Sequence, residues 1–201
     1  MSGPGDLPGW DLPDLGSVPP PPILPEPATH RPDQLRGVRA VVGLPGLGWR
    51  TDLRADSPVV QSSRTYVPVL TEAEWYRAEA EQTEVFAPLI PIERVWVERP
   101  APDAPRTVHP LDLIGRLVSL DAPPRRDPVP IGQVIGVTGR RVVHNEDGMF
   151  RRDLRAVTEP FTGSDGDICV RVAREFEWYR WAWTGRVPQT LELPVHLLWL
   201  E

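Results

Sequence analysis

Lysine is missing from this 201-residue chain, which contains 22 arginines. A phosphate-binding P-loop, a protein kinase and a Ser-x-x-Lys hydrolase each need a lysine, and Schiff-base enzymes need an amine nucleophile. The composition therefore argues against these four enzyme classes. Asparagine occurs once, at Asn145. Such a bias is typical of a GC-rich genome, so we hypothesise an actinobacterial or actinobacteriophage source.

Cysteine is almost as scarce, because Cys169 is the single one and no internal disulfide can form. The four histidines are scattered without the spacing of a zinc site, so the sequence predicts no metal and no cofactor. The first ten residues lack the basic and apolar regions of a signal peptide. No apolar run approaches the roughly 20 residues that span a bilayer. We expect a location in the host cytoplasm or in a virion, without membrane contact.

Proline is the opposite case, with 26 residues along the chain. Ten of them lie in residues 1–36, which predicts an extended arm with no core of its own. Five apolar side chains in this arm are candidate contacts with a protein partner or with a groove on the protein's own body: Trp10, Leu12, Leu15, Ile23 and Leu24. The alternative is a disordered tail.

Residues 37–105 form the second predicted segment, with β-strands and one short helix. Thr71 and Glu74 have the spacing of a capping box, so we expect a helix from Glu72 to about Gln82. The helix is rich in acidic residues, including Glu72, and we interpret these as a solvated face. We predict that it is the chain's one helix and that the fold is mainly β.

Residues 106–158 are rich in short β-patterns, which favours a small SH3-like barrel. The turn Asn145–Gly148 is typical of a hairpin, since Asp-Gly supplies the positive φ values that such turns require. Four or five short strands are predicted here, at 113–120, 131–138, 140–144, 149–152 and 154–157. No internal repeat is apparent along the chain.

Residues 159–201 form the last segment, which we predict to be Trp-rich strands packed on the body. The stretch from Phe176 to Trp183 is aromatic at both odd and even positions, as in a strand buried on two sides. Its aromatic side chains either fill a core or form a stacking platform for a ligand or a protein, the candidates being Trp178, Tyr179, Trp181 and Trp183.

Arginine pairs are concentrated in the barrel segment. Residues 106–157 carry nine arginines and six acidic residues, although the whole chain has a net charge of −6. The pairs could contact the phosphates of a nucleic acid or the carboxylates of a partner protein, and the modest local charge favours the partner protein. The residues are Arg125, Arg126, Arg140, Arg141, Arg151 and Arg152.

Three stretches carry a resemblance to small structural or accessory proteins of actinobacteriophages. They are Leu44-Pro-Gly-Leu-Gly-Trp-Arg-Thr-Asp-Leu-Arg54, Pro91-Ile-Glu-Arg-Val-Trp96 and Asp153-Leu-Arg-Ala-Val157. The resemblance implies a virion component such as a capsid decoration, tail or adaptor protein, and it assigns no catalytic residue. We expect a non-enzymatic interaction protein that docks on other virion subunits through its arm. The alternatives are a nucleic-acid-binding or host-directed regulator and an enzyme whose site is assembled from distant residues.

Overall fold

The structure, a computed structural model of the whole chain, describes residues 18–44, 48–100, 122–146 and 148–201. The strand predicted at 113–120 and the arm residues Trp10, Leu12 and Leu15 lie outside these ranges. The described part is mainly β, which confirms the predicted fold class. Its strands form two curled antiparallel sheets, and one sheet is a half-barrel.

The first sheet contains the described strands between residues 23 and 100. They are β1 (Ile23–Pro27), β2 (Arg39–Leu44), β3 (Gly48–Ala55), β4 (Val59–Gln61), β5 (Arg64–Thr71), β6 (Leu89–Pro91) and β7 (Val95–Pro100). The strands pair in the order β1-β7-β2-β3-β5-β4, and β6 pairs with β5. We call this part of the molecule lobe 1.

The second sheet, with the residues around it, is lobe 2. Its described strands are β8 (Val129–Pro130), β9 (Arg141–Glu146), β10 (Met149–Ala156), β11 (Phe161–Thr162), β12 (Ile168–Arg174), β13 (Leu191–Pro194) and β14 (Leu198–Leu200). They pair in the order β8-β14-β9-β10-β12-β11, with β13 on β12. Strands from the predicted barrel segment and from the segment after 158 therefore share one sheet.

The two lobes are copies of one unit, because each strand of lobe 1 has a counterpart in lobe 2 at the same place in the strand order. The expectation of no internal repeat is therefore wrong. Two short motifs repeat in the sequence: Asp52-Leu-Arg-Ala55 recurs as Asp153-Leu-Arg-Ala156, and Glu74-Trp-Tyr-Arg77 recurs as Glu177-Trp-Tyr-Arg180. The spacing between matching motifs changes along the chain, so no single offset aligns the two copies.

The repeat extends to the turn that precedes the second strand of each lobe. Gly37 and Gly139 have φ values of 75° and 80°, a region that favours glycine because it has no Cβ. Each glycine N–H donates to an alanine carbonyl at 2.8 Å, Ala55 in lobe 1 and Ala156 in lobe 2. The hairpin that follows has an irregular register in both lobes.

Helix α1 (Glu72–Glu81) begins after β5 with the predicted capping box of Thr71 and Glu74, so this prediction is confirmed. Helix α2 (Glu175–Thr184) occupies the equivalent place after β12. The strand predicted over Phe176–Trp183 and the prediction of a single helix are therefore wrong. Acidic residues in the first turn and Gly185 with φ 70° after the last turn give α2 a helical start and stop.

Four prolines in the body each precede a short 3₁₀ turn. The turns are Ala28–His30, Ile92–Arg94, Ile131–Gln133 and Val195–Leu197, two in each lobe. A proline fixes its own φ and suits the residue before such a turn. The turn at Ile131–Gln133, followed by Gly136 with φ 76°, replaces the strand predicted at 131–138. The turn at Val195–Leu197 likewise separates β13 from β14.

Each lobe has its own apolar core, and most core positions correspond between the lobes. Val67 and Val69 on β5 match Val170 and Val172 on β12, for example, and all four are buried. The alternation of these residues along their strands places them on one face of the sheet. Each sheet therefore packs its own interior, and the lobes meet through other residues.

The described part of the predicted arm lies on the body. Ile23 is buried in β1, where it pairs with Pro100, and the adjacent Leu24 is half-buried. Ala28 and Leu35 belong to the core of lobe 1. Before β1 the chain contacts lobe 2, because the Pro21 carbonyl accepts a hydrogen bond from Arg152 at 2.7 Å. Residues 18–36 thus span both lobes.

Candidate functional site

A buried cluster of charged side chains lies where the two lobes meet. The first residue of each helix is a glutamate, Glu72 in α1 and Glu175 in α2, and each is only 1% exposed. The expectation that Glu72 belongs to a solvated face is therefore wrong. A buried carboxylate requires opposite charge and hydrogen-bond donors, and both lobes supply them.

Glu72 is held mainly by the opposite lobe. Its Oε2 lies 2.7 Å from Arg141 Nη2 and accepts hydrogen bonds from Arg155 at 2.9 Å and from the Tyr179 hydroxyl at 2.8 Å. The Arg54 Nε of its own lobe lies 3.3 Å from Oε1. Burial opposes the charged form, but Arg141 and the other donors outweigh it and lower the pKa of Glu72 to about 2.

Glu175 repeats this arrangement in the opposite direction. Its carboxylate accepts hydrogen bonds from Arg39 at 3.0 Å, from Arg54 at 2.9 Å and from the Tyr76 hydroxyl at 3.0 Å. All three donors belong to lobe 1. The two glutamates therefore exchange equivalent partners across an approximate two-fold axis.

A second layer of ion pairs surrounds the two central glutamates. Glu98 in β7 and Glu201, which follows β14, occupy equivalent places in the two lobes, and both carboxylates are buried. Glu98 pairs with Arg126 and lies 3.8 Å from Arg141, while Glu201 pairs with Arg152 and lies 3.1 Å from Arg39. We call the whole set the interlobe network. Its members are Arg39, Arg54, Glu72, Tyr76, Glu98, Arg126, Arg141, Arg152, Arg155, Glu175, Tyr179 and Glu201.

The two tyrosines stack at the centre of the interlobe network. The rings of Tyr76 and Tyr179 lie 5.3 Å apart with an interplanar angle of 24°. Burial and the neighbouring glutamates raise the pKa of both hydroxyls, so they remain protonated and act as hydrogen-bond donors. Arg155 also lies 4.9 Å from the ring centroids of Tyr179 and Trp178.

The pKa values of the arginines reflect the balance between burial and pairing. Burial lowers the pKa of Arg152 to about 10, and the positive charge of Arg39 adds to this effect. For Arg39 burial acts in the same direction, but Glu175 and Glu72 outweigh it and raise the pKa. Burial raises the pKa of Glu98 although Arg126 and Arg141 oppose the change. The chemistry of the cluster is therefore mutual neutralisation across the lobe boundary.

The predicted arginine pairs are split by the fold. One member of each pair, namely Arg126, Arg141 and Arg152, belongs to the interlobe network. The other members lie nearer the surface, where Arg125 pairs with Asp127 and Arg151 with Asp153, and Arg140 is exposed. The six arginines therefore do not form one continuous basic surface.

The predicted aromatic platform lies on a helix. Trp178 and Tyr179 pack at the interlobe network, Trp183 is half-buried and Trp181 is exposed. Their different directions around α2 separate side chains that would share faces on a strand. Cys169, with its thiol free, is buried in β12 beside the pairing with β11.

A groove with a volume of about 1000 Å³ lies beside α1 on lobe 1. Leu70, Trp75 and Ala78 line it on one side, and the segment from Thr83 to Leu89 lines the other. Phe86 in that segment is 95% exposed. The groove combines these apolar side chains with charged ones.

Sequence reasoning missed the central residues of the network, including Glu72, Glu175 and Arg54. Two repeated motifs in the sequence could have indicated them. Asp-Leu-Arg-Ala supplies an arginine to each lobe, and Glu-x-Glu-Trp-Tyr supplies a glutamate and a tyrosine to each lobe.

The described residues contain no group of three or more histidine, cysteine, aspartate or glutamate side chains arranged to hold a metal ion. No helix in those ranges is both long enough and apolar enough to cross a membrane. No family model, curated protein or solved structure matches the chain.

Proposed function

We propose that this protein is a non-enzymatic structural component that works by contacting other proteins, in a phage particle or during its assembly. The observation that carries the proposal is the interlobe network, which joins the two lobes into one body. Its two central glutamates, Glu72 and Glu175, are each engaged by arginines and a tyrosine of the opposite lobe, so their role is architectural.

The protonation states in the network support this role. A general acid or base works best with a pKa near the operating pH. The pKa of Glu72 is about 2, so this carboxylate stays ionised at neutral pH. The pKa values of the two tyrosine hydroxyls are raised, so these groups stay protonated at neutral pH. These groups hold their protons or charges fixed, as a structural lock requires.

The arm supports a role in contacting other proteins. Its described part is fastened to both lobes, since Pro20 and Ile23 are buried and Asn145 donates a hydrogen bond to the Val18 carbonyl at 3.2 Å. The apolar residues before Val18 include Trp10, Leu12 and Leu15. We assign these three side chains to contacts with another virion subunit.

The test is mass spectrometry of phage particles produced with the full chain and with a chain lacking residues 2–16. Deleting residues 1–36 would remove Ala28 and Leu35 from the core, so the shorter deletion separates docking from folding. We expect the full chain in purified particles and loss of most of it on deletion. A full chain absent from particles would contradict the virion role, and unchanged incorporation of the shortened chain would contradict docking through the arm.

The nucleic-acid alternative gains no specific support from the geometry. Half of the arginines that suggested it are paired inside the interlobe network, and the chain has a net charge of −6. Affinity for DNA or RNA that falls steeply with salt would restore this alternative, because neutralised phosphates release counterions.

A further inference from the structure

Helix α1 lines the groove on lobe 1, and its counterpart in lobe 2 is α2. One groove-lining position of α1 carries a different side chain in α2. Helices α1 and α2 align along their whole length, and both contain the sequence Glu-Trp-Tyr-Arg. In this alignment Ala78 corresponds to Trp181, and Ala80 corresponds to Trp183. The position that lines the groove therefore carries a methyl group in lobe 1 and an indole in lobe 2.

We propose that the groove binds a segment of a partner polypeptide that carries a large aromatic side chain between basic residues. The apolar side chains that line the groove support the aromatic anchor, and the equivalent helix position of lobe 2 carries Trp181, which is 39% exposed. Trp75 and Leu70 give the groove an apolar wall suited to such an anchor.

Phe86 provides a second observation for an apolar contact. Its ring is 95% exposed at the groove, and Val85 beside it is also exposed. Removing apolar surface from water is favourable. A partner segment that enters the groove can cover Phe86 as well as contact Trp75.

The charge around the groove decides between possible occupants. Asp56, Glu79 and Glu84 line it with a single arginine, Arg36, which already donates to Glu79 at 3.1 Å. This acidic surplus favours basic residues in the partner. The chain's own residues 1–17 contain three aspartates and no arginine, and a second copy has a net charge of −6, so both are poorer occupants.

The probe is a capped synthetic peptide with a leucine and a tryptophan between pairs of arginines, titrated into the full chain and followed by ¹H–¹⁵N NMR. We expect saturable shifts at Trp75, Ala78 and Phe86 with a dissociation constant below about 1 mM. Replacing the arginines of the peptide by glutamates, or its tryptophan by alanine, should weaken binding about tenfold or more. Absence of saturation with the arginine peptide would overturn the proposal.

The decisive variant is Ala78→Trp, which gives α1 the side chain of α2. We expect it to weaken peptide binding at least about tenfold, because the new indole fills the groove. Ala80→Trp is the matched control, since Ala80 is exposed on the same helix and does not line the groove. Equal binding by the wild type and Ala78→Trp would overturn the proposal. If Ala78→Trp does not fold, Glu79→Arg replaces it, with the same expected loss.

The full chain and the chain lacking residues 2–16 are also compared. Equal peptide affinity supports a partner segment as occupant, whereas tighter binding after the deletion would show that the arm occupies the groove and would overturn the proposal. This inference rests on the proposed function only in requiring a protein partner. Particle incorporation tests the arm and peptide titration tests the groove, so either can fail while the other holds.

Discussion

At the scale of single residues, the stability of the molecule depends on buried charges that neutralise each other. Glu72 contacts arginines of both lobes, and Arg39, Arg141 and Glu175 are buried as well. A buried ion pair does not by itself add stability over well-packed apolar residues, because desolvation opposes it. Removing one partner is different, since the remaining charges stay buried without compensation.

The first prediction concerns the variant Glu72→Gln. It preserves the size of the side chain but removes the carboxylate charge that lies nearest to Arg141 and Arg155. We expect a loss of about 3–5 kcal/mol in the free energy of unfolding, measured by urea denaturation. The control is Glu81→Gln, whose exposed pair with Arg77 should contribute less than about 1 kcal/mol. Similar stability of the two variants would contradict the account.

The second prediction is the pH dependence of stability that Glu72 causes. Its pKa is about 2 in the folded protein and lies below the value in the unfolded chain, near 4.5. The contribution is therefore present above about pH 4.5 and is lost as the pH falls toward 2, amounting to roughly 3 kcal/mol. Glu98, whose pKa is raised, acts in the opposite direction. The difference in the free energy of unfolding between wild type and Glu72→Gln isolates the contribution of Glu72. A difference that stays constant from pH 6 to pH 2 would contradict the prediction.

At the scale of elements, the two helices share a position but not a cap. Thr71 caps α1 with its side chain and Glu74 closes the box, whereas Arg174 precedes α2 without a side-chain cap. Arg174 has the extended backbone that an N-cap residue requires, and Glu177 already occupies the position equivalent to Glu74. The second copy therefore has the glutamate of a capping box without the hydroxyl, and Glu177 pairs with Arg180 instead.

The third prediction follows from this difference. Arg174→Thr should stabilise the protein by about 1 kcal/mol, because the new hydroxyl can accept the Glu177 N–H. Thr71→Ala should destabilise it by about the same amount. Thermal unfolding of both variants beside the wild type checks the pair, and a destabilising Arg174→Thr would show that the arginine has another role.

Local signals explain which elements the sequence could predict. The capping box at Thr71 marks α1, and alternating apolar residues mark strands such as β5. Helix α2 was missed because its aromatic residues favour strands when they are considered without their flanks. The 3₁₀ turn at Ile131 was missed because the short apolar stretch at residues 131–138 is compatible with a strand as well as with a turn. Burial of Glu72 depends on arginines from the other lobe, and no local pattern contains that information.

At the scale of the whole molecule, the lobes resemble the subunits of a symmetric dimer joined in one chain. In a two-fold interface, residue i of one unit contacts residue j of the other, and j contacts i. Glu72 with Tyr179 and Glu175 with Tyr76 follow this rule. The repeated strand order and the equivalent core positions indicate that one unit was duplicated. The central claim is that the interlobe network holds the two copies together as one body.

The most direct measurement is size-exclusion chromatography with light scattering after cleavage at a protease site placed between residues 101 and 121. We predict that the two fragments of the cleaved chain stay together at neutral pH with the mass of the intact chain. Cleavage of the double variant Glu72→Gln/Glu175→Gln should release them, since both central carboxylates are then lost. Wild-type fragments that elute as two separate lobes would contradict the claim.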